Sequence, residues 1–262
     1  MCYEADAIPP FYGPALTTTT SAGLLLTASD GASCAAYLSL PAEPSGPGVL
    51  VLPDNRGLSR FYEELTRRLA EQGLPALAVD YFGRSAGTDY RARPADFGAL
   101  PRHMTHLRAL TREALSADFD AALAHLRSPA GGACRAVISL GFCMGGRFAF
   151  TAAHRRFALA GAIGLYGFPD ALNGAPGPIQ LARELTAPIL GLFAGQDEGI
   201  PASMVAAFDE ALAAAGNAHE IVTYPGTTHG FFEADALAFQ EECADVWRRV
   251  LDFAHRHRDA EA

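Results

Sequence analysis

Continuous apolar runs alternate along the chain with segments whose apolar residues recur at helical spacing. Gly48–Leu52 is apolar throughout, as expected of a strand covered on both faces. Ser59–Gln72 carries Phe61, Leu65 and Leu69 four apart, which predicts a helix that Gly73 stops. The alternation continues with strands predicted over Leu74–Tyr81, Ala136–Gly141, Ala160–Tyr166, Ile189–Ala194 and Glu220–Tyr224. Helices are predicted over Leu110–Leu126, Met144–His154, Ser203–Ala215 and Ala234–His255. Strands and helices in this order predict an α/β fold, a mostly parallel central sheet with helices on both faces. Ahead of it, Gly23–Thr27 and Ala35–Leu40 flank the turn signal Ser29-Asp30-Gly31 and predict an N-terminal antiparallel hairpin. Residues 1–21, with Pro9, Pro10, Pro14 and four threonines, read as an irregular arm. With no composition break and no internal repeat, one domain over 1–262 is expected. The connection over 83–109 is too long for an idle loop and is expected to overhang a site. A second irregular stretch is Phe168–Pro178.

Composition narrows the function classes. Half of the 262 residues are apolar, enough for a packed core, which excludes wholesale disorder. The formal charge of −9 argues against nucleic acid and an anionic membrane surface as partners. The start is acidic and no apolar h-region follows, so no secretory signal is expected. The longest weakly polar run, Phe157–Phe168, is broken by glycines and falls short of the roughly 20 residues that a spanning helix needs. Cys2, Cys34, Cys134, Cys143 and Cys243 are odd in number, widely spaced and free of any C-x-x-C, which argues against a disulfide framework or a zinc site. A reduced, cytoplasmic protein is expected. The segment from Arg84 to Arg112 holds six arginines against Asp89 and Asp96. These either pair with the acidic body or form a basic lid that draws small anions. His103 and His106 lack a carboxylate or cysteine at partner spacing, so they read as ordinary residues and not as metal ligands.

The segment Ser139–Gly146 carries the chemistry. It joins a buried strand to a helix through Gly141-Phe142-Cys143-Met144-Gly145, the G-x-S-x-G nucleophile elbow with cysteine in the serine position. The glycines allow a turn that a side chain two residues either way would obstruct. The turn lifts the sulfur to a helix N-terminus, where the dipole favours the thiolate. A nucleophile needs a base and an orienter. Asp197 follows the strand Ile189–Phe193, and His229 follows the strand Glu220–Tyr224, in the order nucleophile, acid, histidine. Read singly, Cys143 is also a plausible buried structural cysteine, Asp197 a helix cap and His229 a loop histidine. Their order, each at a strand end, points to a triad.

Gly141-Phe-Cys-Met-Gly-Gly146, Gly195-Gln-Asp197 and His229-Gly-Phe231 resemble the dienelactone hydrolase family of α/β-hydrolases, over most of the chain. The resemblance implies hydrolysis of a lactone or ester, typically the opening of carboxymethylenebutenolide, with no metal and no cofactor. It implies an acidic residue after the first parallel strand that contacts the cysteine, a place that Asp54 fills. It implies an oxyanion hole from the N–H groups of Met144 and Asn55. Of the two arginines that hold the family's substrate carboxylate, Arg84 stands in the first place, and Glu233, with reversed charge, in the second. The expectation is a cysteine-dependent hydrolase of small, carboxylate-bearing lactones or enol esters that works through a thioester. A general carboxylesterase or thioesterase of the same fold and a non-catalytic, hydrolase-like binding protein are the alternatives. The expected partner is a small molecule, and the oligomeric state is left open between monomer and homodimer.

Overall fold

The structure, a computed structural model, describes residues 7–10, 12–94 and 97–259. They fall into two units, one ending at Arg135 and the other beginning at Ala136.

In the N-terminal unit the elements are β1 (Thr19–Thr27), β2 (Ser33–Pro41), β3 (Gly48–Leu52), α1 (Arg60–Glu71), β4 (Ala76–Asp80), α2 (Gly83–Ala86), α3 (Leu100–Arg108) and α4 (Arg112–Arg127). Its strand order is β1-β2-β4-β3. β1 and β2 form the antiparallel hairpin, paired from Thr19↔Pro41 to Thr27↔Ser33, and β3 runs parallel to β4 with Val49 opposite Ala76. β3 and β4 are buried at every position, which explains the apolar sequence of β3 and of β4 up to Val79; the buried Asp80 closes β4. Phe61, Leu65 and Leu69 form the buried stripe of α1. The hairpin is longer than its sequence signal. β1 starts at Thr19, inside the stretch expected to be irregular, because β-branched threonines suit an extended ladder and Thr20 finds a partner in Leu40. The helix expected from Leu110 starts at Arg112, where the Thr111 side chain caps the Ala114 N–H at 3.2 Å. The connection over 83–109 is not an open loop, since it contains α2 and α3.

In the C-terminal unit β5 (Val137–Phe142), α5 (Met144–Ala152), β6 (Gly161–Leu165), α6 (Pro178–Leu181), β7 (Ile189–Ala194), α7 (Ala202–Ala215), β8 (His219–Tyr224) and α8 (Gln240–Arg256) follow in turn. The strands lie in the order β5-β6-β7-β8, all parallel. Every residue of β5, β6 and β7 is buried. Parallel strands in sequential order place all their carboxyl ends on one edge, where α/β proteins bind ligands. The last helix starts later than its periodicity predicts. Residues from Gly230 onward fold into turns closed by Ala234 N–H to Gly230 O (2.8 Å) and Ala238 N–H to Asp235 O (2.8 Å), and α8 begins at Gln240. Val246, Val250 and Phe253 pack inward as expected, whereas Leu237 is 88% exposed and outside the helix. Among the described residues no helix is long and apolar enough to cross a membrane.

Candidate active site

β5 ends at Phe142 and α5 begins at Met144, so the whole change of direction falls on Cys143. Its backbone sits at φ 53°, ψ −114°, outside the regions a side-chain-bearing residue normally occupies. The neighbouring glycines make this possible. A Cβ on Gly141 would lie 1.9 Å from the Gly145 oxygen, and one on Gly146 2.6 Å from the Leu165 oxygen. α5 therefore starts with its backbone pressed onto the ends of β5 and β6. The Cys143 N–H donates to Leu165 O at 3.0 Å, and Cys143 O accepts the Arg147 N–H at 3.1 Å. The thiol is half-buried at the amino end of α5. The Met144 N–H belongs to the first turn, whose donors have no acceptor within the helix.

The turns after β7 and β8 are joined to each other. Gly195 N–H donates to Tyr224 O at 2.9 Å and Gln196 N–H to Thr227 O at 2.8 Å. This brings the segments carrying Asp197 and His229 together. Asp197 Oδ1 accepts the N–H groups of Gly199 (3.0 Å) and Ile200 (3.2 Å), and its Oδ2 accepts the His229 Nδ1–H at 2.6 Å. Burial pushes the Asp197 pKa up, but the His229 hydrogen bond and charge together with the two backbone donors outweigh it and hold the carboxyl below its ordinary value. The other imidazole nitrogen, Nε2, lies 3.0 Å from Cys143 Sγ. Carboxylate, imidazole and sulfur thus form one hydrogen-bonded line, with a 4%-exposed carboxylate side chain at one end and a 41%-exposed imidazole beside the sulfur.

Tyr166, directly after β6, completes the surroundings, and sequence reasoning missed it. Its fully buried ring lies 5.1 Å from the His229 ring, and its hydroxyl donates to Glu233 Oε2. The available signal was a polar tip closing the apolar run Ala160–Tyr166, at a strand end like those before Asp197 and His229. Glu233, expected as a reversed charge toward substrate, is buried and engaged by this tyrosine.

The remaining expected residues lie in the N-terminal unit. Asp54 follows β3 and is 3% exposed, and its Oδ1 accepts the Arg56 N–H at 3.0 Å. Asn55 O pairs with Nε2 of His103 at 2.7 Å, and the His103 ring stacks on Phe97. Arg84, expected to meet a substrate carboxylate, makes contacts within its own unit. Its guanidinium donates to buried Asp118 (2.8–3.1 Å) and to exposed Asp30 (2.5–3.1 Å). Arg93 likewise grips fully buried Asp80 in two bonds, and Arg91 reaches Glu63. These three arginines pair with acids of their own unit, as the first of the two readings of this segment has it. His106 is also internally engaged, with Nδ1 3.0 Å from Ser85 Oγ. Among the described residues no cluster of three or more histidine, cysteine or acidic side chains is arranged to hold a metal.

The model of the dienelactone hydrolase family matches residues 34–258. A Salmonella typhi protein whose name assigns it provisionally to carboxymethylenebutenolidase is 32% identical over 240 residues, covering 89% of this chain and 86% of its own. A Bradyrhizobium protein, named provisionally as a 2-oxo-3-(5-oxofuran-2-ylidene)propanoate lactonase, is 26% identical over 87% of this chain and 92% of its own. A crystal structure from Klebsiella pneumoniae, named provisionally as a dienelactone hydrolase, superposes with a TM-score of 0.77 at 27% identity, covering 90% of this chain and 98% of that one. The fold is that of an α/β-hydrolase, a mostly parallel sheet with helices. The chain belongs to the dienelactone hydrolase family.

Proposed function

We propose that this protein is a cysteine-dependent hydrolase of small lactones or enol esters, with Cys143 as nucleophile, His229 as general base and acid, and Asp197 as its orienter. The observation that carries the reading is the line Asp197 Oδ2–His229 Nδ1 (2.6 Å), His229 Nε2–Cys143 Sγ (3.0 Å) at a nucleophile elbow. Proton transfer needs heavy atoms within about 2.6–3.2 Å, which both distances meet. The family and the relative named for a lactonase support the acyl substrate class.

In this reading His229 takes the thiol proton and the Cys143 sulfur attacks the substrate carbonyl carbon. The oxyanion is received by the Met144 N–H, a donor of the kind that contributes roughly 3 kcal/mol. The carbon–oxygen bond of the ring or ester then breaks. The leaving oxygen takes the proton from His229, and a thioester remains on Cys143. Water attacks the thioester while His229 accepts its proton, the carbon–sulfur bond breaks, and the acid is released with the thiol restored. A thiolate also leaves well, so acylation advances only when the departing oxygen is a comparably good leaving group. Enol lactones and aryl esters meet that condition; alkyl esters and amides do not.

Arg84 holds internal aspartates and Glu233 holds Tyr166, so neither supports a clamp for a substrate carboxylate. This counts against dependence on a substrate carboxylate and leaves a general esterase or thioesterase of the same fold as the second reading. A panel of enol lactones and nitrophenyl esters, each with and without a carboxylate, separates the two: lactone opening that depends on the carboxylate supports the first, and indifference to it the second. The decisive experiment is Cys143→Ala beside Cys243→Ala on an activated lactone. Cys143→Ala is expected to lose hydrolysis and the thioester adduct seen by mass spectrometry, while Cys243→Ala keeps both. Full activity of Cys143→Ala would overturn the reading.

A further inference from the structure

Two loops hold the reacting pair. The first leaves β6, whose last residue supplies the carbonyl that fixes the Cys143 N–H (3.0 Å). The second is the turn carrying His229, which runs through Phe231 and Phe232 to Glu233 and is closed by Glu233 N–H to Gly230 O (3.0 Å). One side chain spans both. Tyr166 is the residue immediately after β6. It is held at φ 37°, a conformation that a bulky residue adopts only under constraint, and its N–H donates to Leu192 O at 2.7 Å. From there its ring packs beside His229 (5.1 Å) and against the edge of Phe231 (5.6 Å), and its hydroxyl donates to Glu233. Glu233 is buried and lies four residues past His229 on the same turn.

Resting on the hydrolase reading of the site, we propose that Tyr166 and Glu233 are a positioning pair whose hydrogen bond ties the His229 turn to the end of β6 and so keeps the imidazole in reach of the Cys143 sulfur. Phe231 and Phe232, both fully buried, give the turn its depth, but apolar packing is not directional. A hydrogen bond from a rotamer-restricted tyrosine to a buried carboxylate is directional and sets the angle at which the histidine emerges. His229 is itself partly exposed and, among the described residues, its ring nitrogens bond Asp197 and Cys143, so its aim depends on the segment beneath it.

The pair is tested with Tyr166→Phe, Glu233→Ala, Glu233→Gln and the double variant Tyr166→Phe/Glu233→Ala, all read on p-nitrophenyl acetate and by iodoacetamide alkylation of Cys143. Tyr166→Phe and Glu233→Ala are each expected to lower kcat on the order of tenfold with KM within about twofold, because misaligned groups lose rate rather than binding. The double variant is expected to be no slower than either single one. Glu233→Gln keeps an oxygen acceptor for the tyrosine hydroxyl and is expected to recover most of the rate, which a role for the charge alone would not allow. Alkylation of Cys143 near neutral pH, which needs no turnover, is expected to slow in parallel. Wild-type kcat in Tyr166→Phe, multiplied losses in the double variant, or Glu233→Gln as slow as Glu233→Ala would each overturn the proposal. A Cys143→Ala protein that still hydrolyses the ester would instead overturn the hydrolase reading, and the alkylation rates of the other variants would still decide whether the pair positions His229.

Discussion

Asp118 in the N-terminal unit and Asp197 in the C-terminal unit are both buried carboxylates bonded to a nitrogen base, yet their electrostatic balances have opposite signs. The Asp118 side chain is 1% exposed, and burial raises its pKa even though Arg84 bonds both its oxygens. The same guanidinium is shared with Asp30, whose own pKa the arginine lowers. Asp197 is also buried, but three aimed donors, the His229 ring and two backbone N–H groups, bring its pKa below the ordinary value. Fixed donors pointed at a carboxylate therefore do more for the charged form than one cation divided between two acids. The networks also end differently. The Arg84 cluster closes on itself, carboxylate to guanidinium to carboxylate, and serves the fold. The Asp197 line passes through an imidazole to a half-buried thiol, which leaves one end open for chemistry.

The sharpest way to break this contrast is to cut each network and read both activity and stability. His229→Ala is expected to lower kcat by about a thousandfold or more on an activated ester, and Asp197→Asn by about a hundredfold, as losses at interdependent catalytic groups are. An Asp118→Ala protein is expected to keep kcat within about twofold and to lose about 1 kcal/mol of unfolding free energy in urea, the scale of the hydrogen bonds removed, because Arg84 keeps its pair with Asp30. If Asp118→Ala impairs turnover and leaves stability intact, the division between a closed and an open network fails.

Thiol labelling sharpens the same contrast at the level of single atoms. Cys34 and Cys134 are buried, and burial pushes their thiols up to about 12 and about 11, while Cys243 lies on the buried face of α8. Iodoacetamide is expected to modify Cys143 about a hundredfold faster than these three in the folded protein, since only an accessible thiolate reacts. Peptide mapping of the alkylated protein checks this, and prior labelling of Cys34 or Cys134 would refute it.

The smallest effect is on the pH dependence of stability. The folded-state pKa of Asp197 is lowered from 3.8, so its contribution is full above the unfolded value and is lost as pH falls through the lower folded one. The folded-state pKa of Asp118 is raised from 3.8, so its contribution is present below the unfolded value and lost as pH rises through the folded one. As pH rises through the unfolded value of 3.8, wild type is therefore expected to gain stability relative to Asp197→Asn and to lose it relative to Asp118→Asn. Urea midpoints across this value read the two slopes, and equal signs would contradict the assignment of opposite balances.

Much of this was written in local patterns. The unbroken apolar strands, the alternation with helices, and the glycines around Cys143 are consequences of backbone geometry and burial, which act on neighbouring residues. Boundaries blurred where tertiary partners decide them. Thr19 joined a strand because Leu40 and Pro41 were there to pair with it, and the turn from Gly230 delayed α8 to Gln240. Arg84 illustrates the stronger limit. In sequence it is a cation in the right place for a substrate anion. In space Asp30 and Asp118, 54 and 34 residues away, already occupy it.

The sequence by itself determined the α/β architecture and the residues standing at successive strand ends, Cys143, Asp197 and His229 among them, because periodicity and turn chemistry are short-range properties. Only the tertiary structure decided which charges are satisfied internally and that Tyr166 meets Glu233 beside His229. Those outcomes depend on groups 32 to 86 residues apart meeting within hydrogen-bond distance, and a linear pattern holds no record of such distances.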